Sequence, residues 1–163
     1  MSAAKRVLLF GGIGLALLGM TYGLWYAVFA EHQALDGIGA SLATGFGAAA
    51  NRDPARSTQA MEQYREAKYR YDRQVDAHGH WIGLAMVLIV LGFGFDAVHF
   101  SAKQKLLLAW MLLAGAVLFP LGVLLQTVNH GSSPRVLAVL GSAMVIVSLA
   151  VAVVGFIRKP IAA

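Results

Sequence analysis

The chain has 163 residues, of which 58% are hydrophobic and 13% are charged, and it contains no cysteine. The apolar share exceeds that of soluble domains, and the missing cysteines exclude disulfides, thiolate-ligated haem and thiol catalysis. The formal net charge of +5 does not indicate a nucleic-acid partner, because most basic residues lie beside apolar runs, where orientation in a bilayer explains them.

Four apolar segments are long enough to cross the hydrocarbon of a bilayer, which takes about 20 residues. They are residues 7–30, 81–98, 106–128 and 136–157. The first follows two basic residues, as a signal peptide would, but its apolar core exceeds the roughly 7–15 residues of such a signal. The whole chain is therefore predicted to be a single all-α domain, an integral membrane four-helix bundle.

Residues 31–77 connect the first two spans and have two parts. Residues 34–51, "ALDGIGASLATGFGAAAN", are rich in glycine and alanine and lack a clear period, so a flexible connection, a surface segment and a lid over the bundle all remain open. Asp53 then suits a helix cap and Pro54 a first helical turn, and good helix formers follow. Because no breaker precedes the second span, one helix from about Pro54 to Val98 is predicted, with a long extramembrane extension.

Basic residues that flank the spans fall on one side of the membrane. They are Lys5 and Arg6 before the first span, Lys103 and Lys105 between the second and third, and Arg158 and Lys159 after the fourth. The positive-inside rule assigns this side to the cytoplasm. Both termini are therefore predicted to be cytoplasmic, with residues 31–77 outside, in the inner membrane of a bacterium.

Histidines are concentrated at the predicted outer ends of the spans. Those at the outer ends are His32, His78, His80 and His130, while His99 lies at the inner face. For His99 we predict a local ion pair with Asp96, three residues earlier. Polar groups at membrane depth are costly and often functional. The hypothesis is that outer imidazoles from different helices meet in one pocket, and the alternative is that they anchor helix ends at the interface.

Helical phase places the two histidines at the start of the second span on different faces of the helix. His78 belongs to an apolar stripe with Tyr71, Ile82 and Ala85, which is predicted to face the bundle. His80 is turned by about 200° from His78 at 3.6 residues per turn. His78 is therefore the better interior ligand, and His80 is assigned a supporting, propionate-binding or interfacial role.

Other residues share the outer end of the bundle and are predicted to line the same pocket. They are Trp25 and Phe29 in the first span, Trp81 in the second and Gln126 in the third. Cationic groups suited to propionates at the water boundary are Arg65, Arg73 and Arg135. The alternative for the aromatic residues is the belt of rings found at membrane interfaces.

A haem b is the cofactor that this arrangement favours, because histidine is a usual haem ligand and helical bundles hold cofactors between facing helices. The predicted axial ligand is His78, with His32 or His130 as a possible second ligand. A copper or zinc site is the alternative, and it needs three or more histidines within bonding distance.

The stretch "DAHGHWIG", residues 76–83, opens the second span. Together with four spans and a long loop after the first, it resembles the styrene oxide isomerase group of membrane haem proteins, which is similar in helix arrangement to part of the haem-copper oxidase core. In that group the histidine of a short "A-H-x-G"-like stretch ligates the haem iron. The resemblance implies the same role for His78, which follows Ala77 here.

Three functions remain open at this point. Two axial histidines would favour electron transfer with a redox partner, whereas an open iron position would favour gas binding or Lewis-acid isomerisation of a small apolar epoxide. A non-catalytic membrane scaffold, with the outer helix as docking surface, is the alternative class. The sequence offers no nucleophile dyad, phosphate loop or pair of buried carboxylates, so no catalytic residue is assigned. The expected partners include the lipid bilayer. Glycine-rich spans also allow further copies of the same chain to associate as a homo-oligomer.

Overall fold

A computed structural model describes residues 1–158, and these are helical apart from short turns. The helices are α1 (Ala3–Phe29), α2 (Glu31–Ala50), α3 (Pro54–Gly94), α4 (Ala102–Leu125) and α5 (Ser132–Ile157), with a single 3-10 turn at Phe95–Ala97. Four of them, α1, α3, α4 and α5, are long and apolar enough to cross a membrane. The predicted all-α membrane bundle is confirmed, while Lys159, used in the orientation prediction, lies outside the described residues.

Helix starts follow local capping chemistry. Asp53 accepts a hydrogen bond from a backbone N–H in the first turn of α3, and Pro54 is the first residue of that helix, as predicted. Ser101 and Gln104 form a capping box at the start of α4, which satisfies two backbone donors that a helix start leaves free. The chain therefore turns sharply before α3 and α4 without leaving those backbone groups unpaired.

The glycine- and alanine-rich segment forms most of a regular helix, α2. It is therefore not the flexible connection that the sequence left open, and it extends α1 instead of folding over the bundle as a lid. Only Ala30 interrupts α1 and α2, and its N–H still donates to the Tyr26 carbonyl at 2.9 Å. The two helices form a nearly continuous rod. At the far end, Arg52 has a φ of 55° in the turn before α3. Small residues reveal no hydrophobic period, yet they allow α2 to pack closely along α3.

Residues 31–68 form a hairpin of α2 and the polar start of α3, and it is named the outer hairpin after its predicted side of the membrane. Ser41, Ala48 and Ala60 are buried between the two helices. At 1.5 Å per residue, the 20 residues of α2 extend about 30 Å. Ion pairs line the exposed face of α3, including Lys68–Asp72 at 2.7 Å. The hydrogen bond that Lys68 Nζ donates to the Asp72 carboxylate raises the pKa of Lys68 above its usual range.

Inside the bundle, α1, α3 and α4 contact one another, and α5 packs mainly on α4. The shared core includes Leu8, Leu88 and Leu112, which are almost fully buried. Gly122 and Gly141 bring α4 and α5 so close that an added Cβ would collide with the neighbouring backbone. Small residues at helix contacts are the usual means of close packing in membranes.

The inner end of the bundle is held by Asp96. Its Oδ1 accepts a hydrogen bond from Ser2 Oγ at 2.6 Å, and its Oδ2 lies 3.5 Å from Lys5 Nζ. The predicted ion pair between His99 and Asp96 is wrong. Instead the His99 backbone N–H donates to the Gly155 carbonyl, and its Nδ1 is buried without a partner among the described residues. The cause is that the helix ends at Gly94, so the helical spacing behind that prediction no longer holds.

Candidate functional site

The pairing of α1 with α3 sets the depth of the histidines. The pairs that meet are Gly12 with Ala85, Gly19 with Trp81, and Gly23 with His78. His78 is therefore level with residues 19–23 of α1, roughly 10 Å before that helix ends at Phe29. The His80 ring lies 4.6 Å from the ring of Phe119, which is also about 10 Å before the outer end of α4.

Both imidazoles thus lie deeper than predicted. The sequence placed them at the outer boundary, because the apolar run of α3 starts only at Trp81. The neighbouring helices α1 and α4 stay apolar for about two more turns on the outer side. Arg73 and Asp76, 3.6 Å apart, lie on the same stretch of α3. Polar residues within the apolar length of neighbouring spans indicate a functional site.

His78 is fixed in orientation by α1. Its Nδ1 lies 2.9 Å from the Gly19 carbonyl oxygen. A carbonyl only accepts, so Nδ1 carries the proton, which leaves Nε2 as the ring nitrogen that can bind a ligand through its lone pair. The ring is half-buried in a notch that exists because Gly23 has no side chain, since a Cβ there would collide with the imidazole. Nε2 makes no hydrogen bond with the described residues, so it is the atom available to a ligand.

Aromatic side chains surround this part of the α1–α3 interface. The rings of Tyr22 and Trp81 meet edge to face at 5.4 Å, and Tyr26 contacts both Tyr22 and Tyr71 at 6.4 Å. Trp81 is 5% exposed and Tyr26 is 6% exposed. The Trp81 Nε1 and the Tyr26 hydroxyl are buried without a partner among residues 1–158. Buried polar groups are normally hydrogen-bonded, so these two atoms mark an incomplete polar site beside His78.

Sequence reasoning named Trp81 but gave no site role to Tyr26 or to the two glycines. The available signal was the spacing "GMTYG", residues 19–23, a small-xxx-small pattern that brings helix backbones together in membranes. Tyr26 follows on the same face of α1, three residues after Gly23. Close helix approach at these glycines makes the notch that His78 occupies.

Three other predicted site residues do not reach His78. Trp25 is 51% exposed and Phe29 is 64% exposed, which agrees with the interfacial-belt alternative. His32 is exposed on α2, nine residues beyond Gly23 and hence about 14 Å further out along the helix axis. The continuous rod of α1 and α2 carries His32 away from the bundle instead of turning it inward.

A second polar cluster lies on the opposite side of α3. The Tyr69 hydroxyl donates to Gln126 Oε1 at 3.3 Å, and the His130 ring meets the Tyr69 ring edge to face at 5.4 Å. His130 Nε2 also lies 3.6 Å from Glu66 Oε1. Tyr69 precedes His78 by nine residues, which is about half a turn of phase on α3. Gln126 and His130 are therefore separated from His78 by the body of the helix.

The predicted residues consequently divide between two faces. In the part of the chain that the structure describes, no three histidine or carboxylate side chains are close enough to hold a metal ion. The Arg73 guanidinium lies over the Tyr69 ring, at 5.2 Å, while Arg65 and Arg135 are exposed. What remains at the α1–α3 interface is one oriented imidazole with aromatic neighbours.

The chain matches no known family model, no curated protein and no solved structure.

Proposed function

We propose that the protein is a membrane haem protein in which His78 is the single protein ligand of a haem b. The hydrogen bond between His78 Nδ1 and the Gly19 carbonyl carries the proposal. Axial and metal-bound histidines commonly donate their second ring nitrogen in this way, which orients the ring and strengthens the ligating nitrogen. The resemblance of "DAHGHWIG" to the styrene oxide isomerase group supports the same residue.

A single oriented imidazole favours haem over a bare metal ion. A porphyrin supplies four in-plane nitrogen ligands, so the protein needs to provide only one axial ligand. A copper or zinc ion bound by imidazoles needs several residues together, and no such group occurs in residues 1–158. The donor set therefore fits haem, and the copper or zinc alternative has less support.

The same geometry favours an open iron position. His32 is about 14 Å further along its helix, and His130 contacts Glu66 on the other face of α3. Bound haem would thus supply a Lewis-acid iron, suited to isomerisation of a small apolar epoxide or to gas binding rather than to electron transfer. The Tyr22 and Trp81 rings, which meet at 5.4 Å, would supply apolar, water-excluding surface near His78.

A haem macrocycle needs a wide slot beside its axial ligand. The His78 ring already packs against Gly23, so no flat group fits between α1 and α3 at this point. Clefts of about 190 Å³ open between α4 and α5 and in the outer hairpin, and His78 lines neither. Haem binding therefore requires α1 and α3 to separate near Gly23, or the haem to lie along the edge of their interface.

The test is the absorption spectrum of protein purified from haem-supplemented cells. Wild type is expected to show a Soret band, and His78→Ala to lose it, because the axial ligand is gone. His130→Ala and His99→Ala are matched controls that should keep the band. A colourless wild type after haem titration, or a His78→Ala variant that retains haem, would overturn the proposal. The colourless wild type would in addition favour the scaffold alternative, whose docking surface would include Phe46, 73% exposed on α2.

A further inference from the structure

A cleft of about 190 Å³ separates the inner halves of α4 and α5. Apolar side chains of both helices line most of it, including Leu108, Met111 and Val151. On its outer side, Gly115 and Gly141 bring the two helices together. The cleft therefore begins where the close glycine packing ends.

Ser148 is the unusual member of the lining. It is 0% exposed, and its Oγ has no hydrogen-bond partner among the described residues. A serine within a helix commonly donates to the carbonyl four residues earlier, but this one does not. Between Ser142 and Arg158 it is also the one polar side chain of the sequence. A hydroxyl left unsatisfied in apolar surroundings is costly, and a hydrogen-bond acceptor in the cleft would remove that cost.

The cleft is accessible from the bilayer. Leu107 and Val147, at its edges, are 63% and 53% exposed. Gln104 lines the inner mouth, where its Oε1 already accepts hydrogen bonds from Ser101. Met111 lines the same cleft, and because the unbranched thioether side chain of methionine adapts readily, we infer that it moves aside when a ligand approaches Ser148. Ligands dissolved in lipid can thus enter sideways.

Depth and volume limit the ligand. Ser148 lies nine residues before Ile157, hence about 14 Å from the inner end of α5. The ester carbonyls of phospholipids lie at the membrane boundary, so they do not reach this hydroxyl. A protein cavity of about 150 Å³ holds benzene, so this cleft suits one or two small rings.

We propose that the α4–α5 cleft binds a ring-sized, bilayer-soluble carbonyl compound, such as a quinone, whose carbonyl oxygen accepts a hydrogen bond from Ser148 Oγ. The site is independent of His78, which lies on α3 at the α1 interface near the outer side. The ligand is held by apolar contacts from both helices and oriented by one donor.

The experiment compares menadione with 2-methylnaphthalene, which has the same rings and methyl group but no carbonyl. Both are titrated calorimetrically into the full chain in lipid nanodiscs, with empty nanodiscs subtracted. Wild type should bind menadione more tightly. Ser148→Ala should weaken the affinity for menadione about five-fold, which is the effect of losing one hydrogen bond. It should leave the affinity for 2-methylnaphthalene unchanged. The absence of cysteine removes thiol addition to menadione as a side reaction.

Two further variants make the result decisive. Val151→Phe fills the cleft and should abolish binding of both compounds, with circular dichroism as the check on folding. His78→Ala should bind both as wild type does, whether or not it loses haem. Equal menadione affinity in wild type and Ser148→Ala, equal weakening of both compounds by Ser148→Ala, or unchanged binding by a folded Val151→Phe variant would overturn the proposal.

Discussion

Gly19 and Gly23 of α1 set the orientation of the His78 ring. The Gly19 carbonyl accepts the hydrogen bond from its Nδ1, and the missing side chain of Gly23 makes the notch that holds the ring. Without them the same histidine would be pushed off α1 and would lose its fixed orientation. The chemistry of one imidazole on α3 therefore depends on backbone features of a different helix.

At the residue scale we predict that Gly23→Ala destabilises the protein. The added methyl group would overlap the His78 ring. The ring must then move, and the hydrogen bond between its Nδ1 and the Gly19 carbonyl breaks. Overpacking of this kind typically costs about 1–3 kcal/mol. Gly14→Ala is the matched control on the same helix, because its Cβ meets nothing within 4 Å. Unfolding in mixed detergent micelles measures both, and equal stability of the two variants would contradict the assigned packing of His78.

At the level of elements, α3 differs from its neighbours because a long polar part precedes its apolar run. Its 41 residues run from the outer hairpin through the membrane without a break. Because the helix is continuous, polar residues such as Asp76 and His80 are carried alongside apolar parts of α1 and α4. Each face of α3 then contacts a different partner, with His78 toward α1 and Tyr69 toward Gln126, which directly follows α4.

The pairing of α4 with α5 gives a prediction at the same scale. A Cβ at Gly141 would collide with the backbone of Phe119, which cannot move aside as a flexible side chain can. Gly141→Ala should therefore force the two helices apart and lower the free energy of unfolding by about 2–3 kcal/mol. Gly83→Ala, where a Cβ meets nothing within 4 Å, should be nearly neutral in the same micelle unfolding measurement. Similar values for both would show that these helices do not pack as described.

Across the whole molecule, the two ends of the bundle are chemically different. The inner end carries one short connection, residues 95–101, and the network around Asp96. The other end carries the outer hairpin, roughly 30 Å long. We therefore expect one preferred orientation in the membrane, and the distribution of Lys and Arg predicts that the hairpin is outside.

Single-cysteine labelling tests that orientation, and the chain contributes no background because it has no cysteine. In bacterial spheroplasts, Glu62→Cys on the hairpin should react with a membrane-impermeant maleimide. Lys103→Cys, between α3 and α4, should react only after the membrane is permeabilised. Both side chains are exposed in the structure. Labelling in the reverse order would invert the predicted topology.

Several predictions followed from local chemistry alone. Apolar length identified the four spans, and Asp53 with Pro54 marked the start of α3. Helical phase assigned His78 to the face that packs on α1. In contrast, the sequence does not indicate α2, because its glycines and alanines show no period. Nor does it give the depth of His78, because the start of the apolar run in α3 does not coincide with the ends of the neighbouring helices.

By itself, the sequence determined the fold class, the number of spans and which histidine faces inward, since each depends on residue type and spacing along one helix. Only the tertiary structure decided how the helices are offset along one another and which faces meet. That offset placed His78 beside Gly19 and Gly23 and separated it from His32 and His130. The physical reason is that the offset depends on close contacts between small residues of different helices, which no single helix specifies.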